Sequence, residues 1–463
     1  MVRQTMPADH RVSERPVAQI DFSAWIPRSF TASPDGRRVA YAAIAGRVEG
    51  VVVLDGKKGE QYATIASPPV FSPDSQRLAY VAGEGDKRFV VIDGQEGRRY
   101  DAVPGGASPG GPVFSPDSQR VAHVVKDRDK WLVVVDRAEG ARYDGIQPGS
   151  LIFSPDSKRV AYAAQRSDRW FVVLDGEESR HYDGVADSSL RFSPDGVRVA
   201  YAARVGGKQF VVVDGVEGRA YDRVESGPLN FSPDSRRVAY VAQVEGKKAI
   251  VVEGREEAWY DSFGESDLCF SPDSQRLAYV LDVLGRWFVV VDGEAGKPYD
   301  GIGANSVTFS PDSQRLAYTG LADRKMTVVL DGKESAYHDN IGESSIAFSP
   351  DSKRVAYVAL LHQRSLLLRL KETTCVVIDG RQERDFDAVV SLPLFSPDGR
   401  RVAYAVEHGN RQFVVVDGVE GNRYTQVIGP EAYRRIIFDA PDSLHYLALK
   451  GDTVYLVEER LAG

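Results

Sequence analysis

Ten times along the chain an aspartate is followed three residues later by an arginine, from Asp35 and Arg38 through Asp74 and Arg77 to Asp398 and Arg401. A carboxylate beside a guanidinium can hold an anion, fix a proton or polarise a substrate when it stands at a single centre. Ten copies argue against a single centre. Equivalent positions spread along a repeat cannot all be one active site, so the pair is expected to be structural, bridging its own turn or linking neighbouring repeats. A second recurring aspartate, at Asp144, Asp183, Asp222 and Asp300, is a rival partner for these arginines.

The other reactive side chains form no constellation. The seven histidines follow no pattern, and His123, His338 and His445 stand at or beside positions where other repeats carry tyrosine, as substitutions in a packing slot would. No G-x-S-x-G elbow, H-E-x-x-H pair or phosphate-binding glycine loop is present. Glu256 and Glu257 are adjacent acids in a turn and are expected to be solvated. Cys269 and Cys375 match neither a disulfide framework nor a zinc spacing, and each sits in an apolar run suited to a buried thiol. The chain is therefore expected to be non-catalytic, with no catalytic, cofactor-binding or metal-binding residue assigned and no cofactor.

Composition narrows the partners. With 43% hydrophobic and 27% charged residues this is a globular chain. Its net charge of −8 and the absence of a Lys/Arg-rich block argue against nucleic acid, which demands a concentrated basic surface. No apolar stretch is long enough to span a membrane, and the N-terminus shows no secretory signal. A soluble, cytoplasmic monomer is expected.

The positioning elements come from a repeat. "FSPDSQRLAY" occurs unaltered at 71–80, 270–279 and 309–318. The aspartate of each Ser-Pro-Asp falls at 35, 74, 117, 156, 195, 234, 273, 312, 351 and 398, and "FDAPDS" supplies a degenerate eleventh at Asp442. Residues 150–185 show the unit as four short runs rich in Val, Ile, Phe and Tyr: a ("SLIF"), b ("RVAYAA"), c ("WFVVLD") and d ("RHYDGV"). Such runs, bounded by turn residues, predict strands. Ser-Pro-Asp-Ser reverses a into b, and Asp-Gly reverses c into d. In strand b, Val160 and Tyr162 alternate with Ala161 and Ala163, giving the sheet one bulky face and one flat face. Four-stranded antiparallel sheets of about 40 residues, covered on both faces, describe the blades of an all-β propeller.

"FSPDS" followed by "RVAY" resembles the WD-like repeat of TolB-type β-propellers, and the likeness runs from about residue 27 to 458. The resemblance implies the fold; it implies no particular activity, because propellers host many. TolB-type proteins carry an extra N-terminal domain and usually six blades. This chain has neither feature, so their envelope partners are not carried over.

The count is eleven blades, with residues 1–16 as an N-terminal tail and 17–463 as the propeller, either one ring of eleven or two smaller rings in tandem. The last unit lacks a d strand, while Phe22-Ser23-Ala24-Trp25 has the spacing of a spare one. The segment 17–25 is thus expected to pair with Val454 to Glu458 and close the last blade, since an open array would leave exposed edges.

A binding surface is expected where the units differ. The a–b and c–d turns are nearly uniform, whereas the b–c and d–a loops vary and share the other face. Just before strand c stand Arg88, Trp131, Trp170, Gln209, Lys248, Trp287, Lys325, Thr374 and Gln412. Tryptophan interleaved with Arg, Lys and Gln is a composition of recognition surfaces, although each Trp could equally fold over its own blade end. Arg191 replaces an apolar strand-a residue and could select an anion or be a paired structural arginine. The long ninth b–c hairpin adds Leu366, Leu367, Leu368 and Leu370. The candidate binding residues are thus Trp131, Trp170, Trp287, Arg88, Lys248 and Arg191, and the expected role is a scaffold recognising a protein, peptide or glycan. The alternative is a propeller-type lyase or hydrolase with its site at the channel mouth.

Overall fold

The computed structural model describes residues 10–46, 49–104, 111–225, 229–260, 262–364, 370–429 and 435–462. Among them there is no helix, and the strands form eleven antiparallel sheets with the four-layer strand order of propeller blades. Blades 1 to 6 lie in one compact unit, Ile20–Trp259. Blades 7 to 11 lie in a second, which joins the described residues up to Gln19 to those from Tyr260 onward.

Blade 4 shows why these residues fold this way. Strand b is Val160–Arg166 and strand c is Arg169–Leu174, joined in register from Ala161↔Leu174 to Arg166↔Arg169. In the turn before b, Ser157 adopts a left-handed φ of 64°. Ser154 Oγ donates to Asp156 Oδ1 at 2.6 Å and accepts the Arg159 amide at 2.9 Å. The turn aspartate thus closes its own loop, and the serine hydroxyl holds its carboxyl below the usual range. At the c–d reversal Asp175 and Gly176 have φ of 53° and 90°, the pair of left-handed residues that a two-residue hairpin turn requires.

The outer strand is shorter than the sequence suggests, and segment d is shared between blades. Glu177–Glu178 pairs with strand c, and Tyr182 rejoins c as a bridge to Trp170. Gly184–Val185 then crosses to pair with strand b of blade 5. In the same way Gly145–Ile146 and the a strand Ile152–Phe153 together make the inner strand of blade 4, both paired with b.

The alternation in strand b does what its pattern predicts. Ala161 and Ala163 offer a shallow face that receives Val199, Tyr201 and Phe210 of blade 5, while Val160 and Tyr162 pack with Ala122 and Val124 of blade 3. The same pairing of consecutive blades recurs in both units, as in Tyr318 against Val280 and Tyr446 against Ala405. These contacts between sheets are the core.

The recurring arginine takes neither partner expected of it. Arg159 Nε donates to Asp175 of the c–d turn at 2.8 Å, Nη1 donates to Val197 O of the next blade at 2.8 Å, and the guanidinium lies 5.8 Å from the Phe192 ring centroid. Arg77, Arg120, Arg198, Arg276, Arg315 and Arg354 repeat the bond to the c–d aspartate. The Ser-Pro-Asp carboxylate is already occupied by its serine, and a three-residue reach would double the side chain back across the turn. The d-segment aspartates serve the opposite end, as in Lys208 with Asp222 and Lys325 with Asp339, each at 2.5 Å. The pairs are structural, as expected, with a different carboxylate.

The N-terminus does complete the last blade, with a different segment. Arg11–Gln19 runs antiparallel to Thr453–Arg460, from Arg11↔Arg460 to Gln19↔Thr453, so the strand starts within the residues read as a tail. Trp25 bridges to Ala43 in strand b of blade 1 instead. The cause is the shared d segment: Phe22–Trp25 matches its second half, which serves the following blade, while the half that pairs with c lies further upstream.

Candidate recognition rim at the b–c hairpins

The second cross-strand pair from each b–c hairpin tip fixes the rim. Arg88 stands opposite Gly83, Trp131 opposite Lys126, Trp170 opposite Gln165, Lys248 opposite Gln243 and Trp287 opposite Asp282. The five therefore occupy one register position in their blades, as the sequence alignment of units predicts. All five are half-buried.

Each is held from both sides. The backbone of Trp131 exchanges hydrogen bonds with Tyr143 at 2.9 and 2.8 Å, and Trp170 and Trp287 do the same with Tyr182 and Tyr299. The indoles rest on the apolar layers between blades, Trp131 beside Val124 and Tyr143, Trp170 beside Tyr182, and Trp287 beside Tyr299. Lys126 Nζ lies 5.7 Å from the Trp131 ring centroid, a cation–π contact. Part of each indole covers its own blade, and the remainder is the part a partner could meet.

The polar members are tied into the fold. Lys248 pairs with Glu225 at 3.0 Å, with both side chains mostly covered. Arg88 donates to Lys87 O at 3.0 Å and lies across Gly83, where a Cβ would stand 2.6 Å from its Nη1. Gln209 and Gln412 each accept an amide of the next inner strand, from Val224 and Val427 at 2.9 Å, and Thr374 accepts that of Val389. Residue 325 is a correction of register: Met326, bridging His338, holds the rim position, and Lys325 is exposed in its ion pair with Asp339.

Arg191 is not in this group. It pairs with Ala200, four residues along strand b from the Arg204↔Gln209 rim pair, about 13 Å away at the rise of a strand. Its Nη1 donates to Leu190 O at 3.1 Å. The d–a turn is likewise not at the hairpin tips: Ser150 Oγ accepts Ala163 N at 3.0 Å, which places that turn beside the middle of strand b. Leu366, Leu367 and Leu368 lie outside the described residues.

Sequence reasoning missed Leu284. It sits at the tip of the hairpin that carries Trp287, 88% exposed, with a left-handed φ of 54°. The signal was available: glycine holds the tip at Gly85 and Gly206 and a polar residue holds it at Arg128, Ser167, Glu245 and Asp323, so an aliphatic residue there is the departure.

Among the described residues no three His, Cys, Asp or Glu side chains gather so as to hold a metal, and no helix is long and apolar enough to cross a membrane. No family model and no curated protein matches the chain. Among solved structures it is similar to a crystal structure of a eukaryotic initiation factor, at 16% identity, covering 70% of this chain and 90% of that one, with a TM-score of 0.40. It is also similar to the β-propeller domain of the Trilobed protease from Pyrococcus furiosus, which has an open velcro topology, at 15% identity over 60% and 98% of the two chains, with a TM-score of 0.29. TolB from Acinetobacter baumannii is similar at 12% identity over 63% and 76%, with a TM-score of 0.24. The propeller assignment rests on the sheets themselves.

Proposed function

We propose that this chain is a non-catalytic binding or scaffolding propeller that holds a protein, peptide or glycan at the b–c hairpin end of its blades. The observation that carries the reading is Leu284. An aliphatic side chain exposed to 88% in a left-handed turn costs hydration and backbone energy at once, and it stands three residues from the half-covered indole of Trp287. Val197 and Val216 are exposed singly at the opposite turns, which is ordinary for a protein surface. An aliphatic residue beside an indole is the kind of pair on which partner affinity concentrates.

The test is retention of partners on immobilised full-length chain, compared with Leu284→Asp and Trp287→Ala and with Val216→Asp as a control at the opposite end. Species identified by mass spectrometry should be lost from the first two and kept by the control. Equal retention by all four chains would refute the reading.

A further inference from the structure

A groove between blades 2 and 3, at the turn end opposite the rim and independent of it, departs from the repeat at two facing positions. Elsewhere the strand-b tyrosine stacks edge-on against the tyrosine of the preceding d segment, as Tyr162 does on Tyr143 at 6.1 Å and Tyr240 on Tyr221 at 6.3 Å. Its hydroxyl reaches the glycine after the preceding c–d turn. A Cβ on Gly140, Gly218, Gly296 or Gly421 would stand 3.6 to 3.9 Å from the hydroxyl of Tyr162, Tyr240, Tyr318 or Tyr446. In blade 3 the residue is His123, and the corresponding Gly97 has only Val90 backbone atoms within that range.

The shorter imidazole leaves open what the phenol fills elsewhere. The space joins a cavity of about 470 Å³ walled by Val90, Ile92 and Val134, with Tyr100 and His123 at its base. His123 is 7% exposed, and its Nδ1 is buried without a hydrogen-bond partner. Burial pushes its pKa down to about 4, so the ring is neutral at pH 7.

The second departure is across the groove. Nine c–d turns carry glycine at the second turn position, from Gly56 and Gly94 to Gly418. Blade 3 carries Arg137, at φ 72°, a left-handed conformation that strains an L-residue. Among the described residues no carboxylate lies within ion-pair distance of it, and its Nη2 donates to the neutral Gln95 Oε1 at 2.6 Å. Both carboxylates of the cavity are engaged elsewhere, Glu139 by Arg98 at 2.6 Å and by the Tyr100 hydroxyl at 2.9 Å, and Glu96 by Arg99 at 3.2 Å. The comparable grooves between blades 5 and 6, about 330 Å³, and between blades 8 and 9, about 430 Å³, keep a tyrosine, Tyr240 and Tyr357, and glycine in the turn, so this groove is set apart by its lining and not by its size. One departure in strand b and one in the c–d turn therefore meet in one cavity. Together they provide an uncommitted cation, aliphatic walls and a neutral polar floor.

We infer that the groove between blades 2 and 3 binds a small aromatic carboxylate, its anion held by Arg137 and Gln95 and its ring lying between the aliphatic walls above His123. The slot left by the missing phenol favours a flat ring, and the arginine favours an anion.

The experiment is calorimetric titration of the full chain with benzoate, 4-hydroxybenzoate and the neutral 4-methylphenol. The expected result is saturable 1:1 binding of the two acids, with 4-methylphenol at least tenfold weaker. His123→Tyr and Arg137→Gly each restore what other blades have and are expected to fold. The first should abolish binding by filling the slot. The second should weaken the acids at least tenfold, leave 4-methylphenol unchanged and raise the melting temperature. No saturable binding at about 10 mM probe, where even a weak small-ligand site fills, would overturn the inference. Unchanged affinity of the acids in both variants would overturn it as well.

Discussion

Tyr424 donates its phenolic hydroxyl to Glu14 at 2.8 Å across 410 positions of sequence. In the blades formed by contiguous chain the same bond joins Tyr100 to Glu139 and Tyr299 to Glu334. Glu14 therefore does for blade 11 what the glutamate two residues past the c–d turn does elsewhere, and it ties the N-terminal strand to blade 10. Tyr424 is fully buried. Glu14→Ala should accordingly cost about 1–3 kcal/mol in urea unfolding, the penalty of weakening the satisfaction of a buried hydroxyl. Adding Tyr424→Phe should recover part of that loss. Removing residues 1–19 should cost more, because the whole Thr453–Arg460 edge then loses its partner. A truncated chain that melts with the full one would refute this closure.

Arg159 joins a c–d turn to the next blade by three contacts at once. Its ion pair with Asp175 is about a third exposed on the arginine side, so that part is worth little. The carbonyl bond to Val197 and the contact with Phe192 add to it. Arg159→Ala should cost about 1–2 kcal/mol. Arg159→Lys should recover less than half, since an ammonium cannot span both partners and lie flat on the ring. Unfolding midpoints in guanidinium chloride would distinguish these outcomes. Equal stability of the alanine and wild-type chains would return the arginine to a solvated role.

Much of this architecture is legible because its turns are local. Ser-Pro-Asp-Ser and Asp-Gly fix backbone angles within four residues, so their repetition gives the blade count, the hairpins and, with the alternation at Val160–Ala163, the packing face. The arginine's partner was not legible, because it lies 16 residues away and is brought near only by the b–c register. Register also explains Met326: a slip of one residue exchanges a half-buried rim position for an exposed one. The closing strand Arg11–Gln19 carries no repeated letters beyond a glutamate, so its function is set by what it pairs with. The tryptophan positions were readable from alignment of the units, whereas the extent of their burial depends on blade packing.

Acid should unfold the protein in two stages with different causes. His123 falls to about 4 from an ordinary 6.5 through burial, in a cavity also lined by Glu96, Glu139, Arg98 and Arg137. The unfolded chain therefore binds the proton first, and stability falls as pH drops from about 6.5 to 4, by on the order of 3 kcal/mol at most. Below that, the turn aspartates take over. Asp74, Asp117, Asp156, Asp195, Asp273 and Asp312 are all held below their ordinary range, first by the hydroxyl two residues before them. Groups with depressed folded values stabilise above the unfolded pKa, and that stabilisation is lost as pH falls through the folded one. Melting temperatures between about pH 7 and 2.5 should show both declines, and His123→Tyr should shrink the first, to which buried His338 also contributes, without changing the second. A single decline confined below pH 4 in the wild-type chain would contradict the burial of a neutral His123.

The inner strand of blade 4 is interrupted, and one serine repairs the gap. Between Ile146 and Ile152 the chain leaves the ladder, so the Ala163 amide of strand b has no strand partner there. Ser150 Oγ accepts that amide at 3.0 Å and donates its own proton to Gln147 O at 2.7 Å. Ser29, Ser189 and Ser391 make the equivalent bonds to Ala42, Ala202 and Ala405. Ser150 is buried, so no water can substitute readily. Ser150→Ala should cost about 1–3 kcal/mol and should speed hydrogen exchange of the Ala163 amide more than that of its neighbours in strand b. The local signature matters because a general loss of packing would accelerate the whole strand together. If Ala163 exchanges no faster than Ala161 in the variant, the hydroxyl is dispensable, and the interruption must be held by the d–a turn alone.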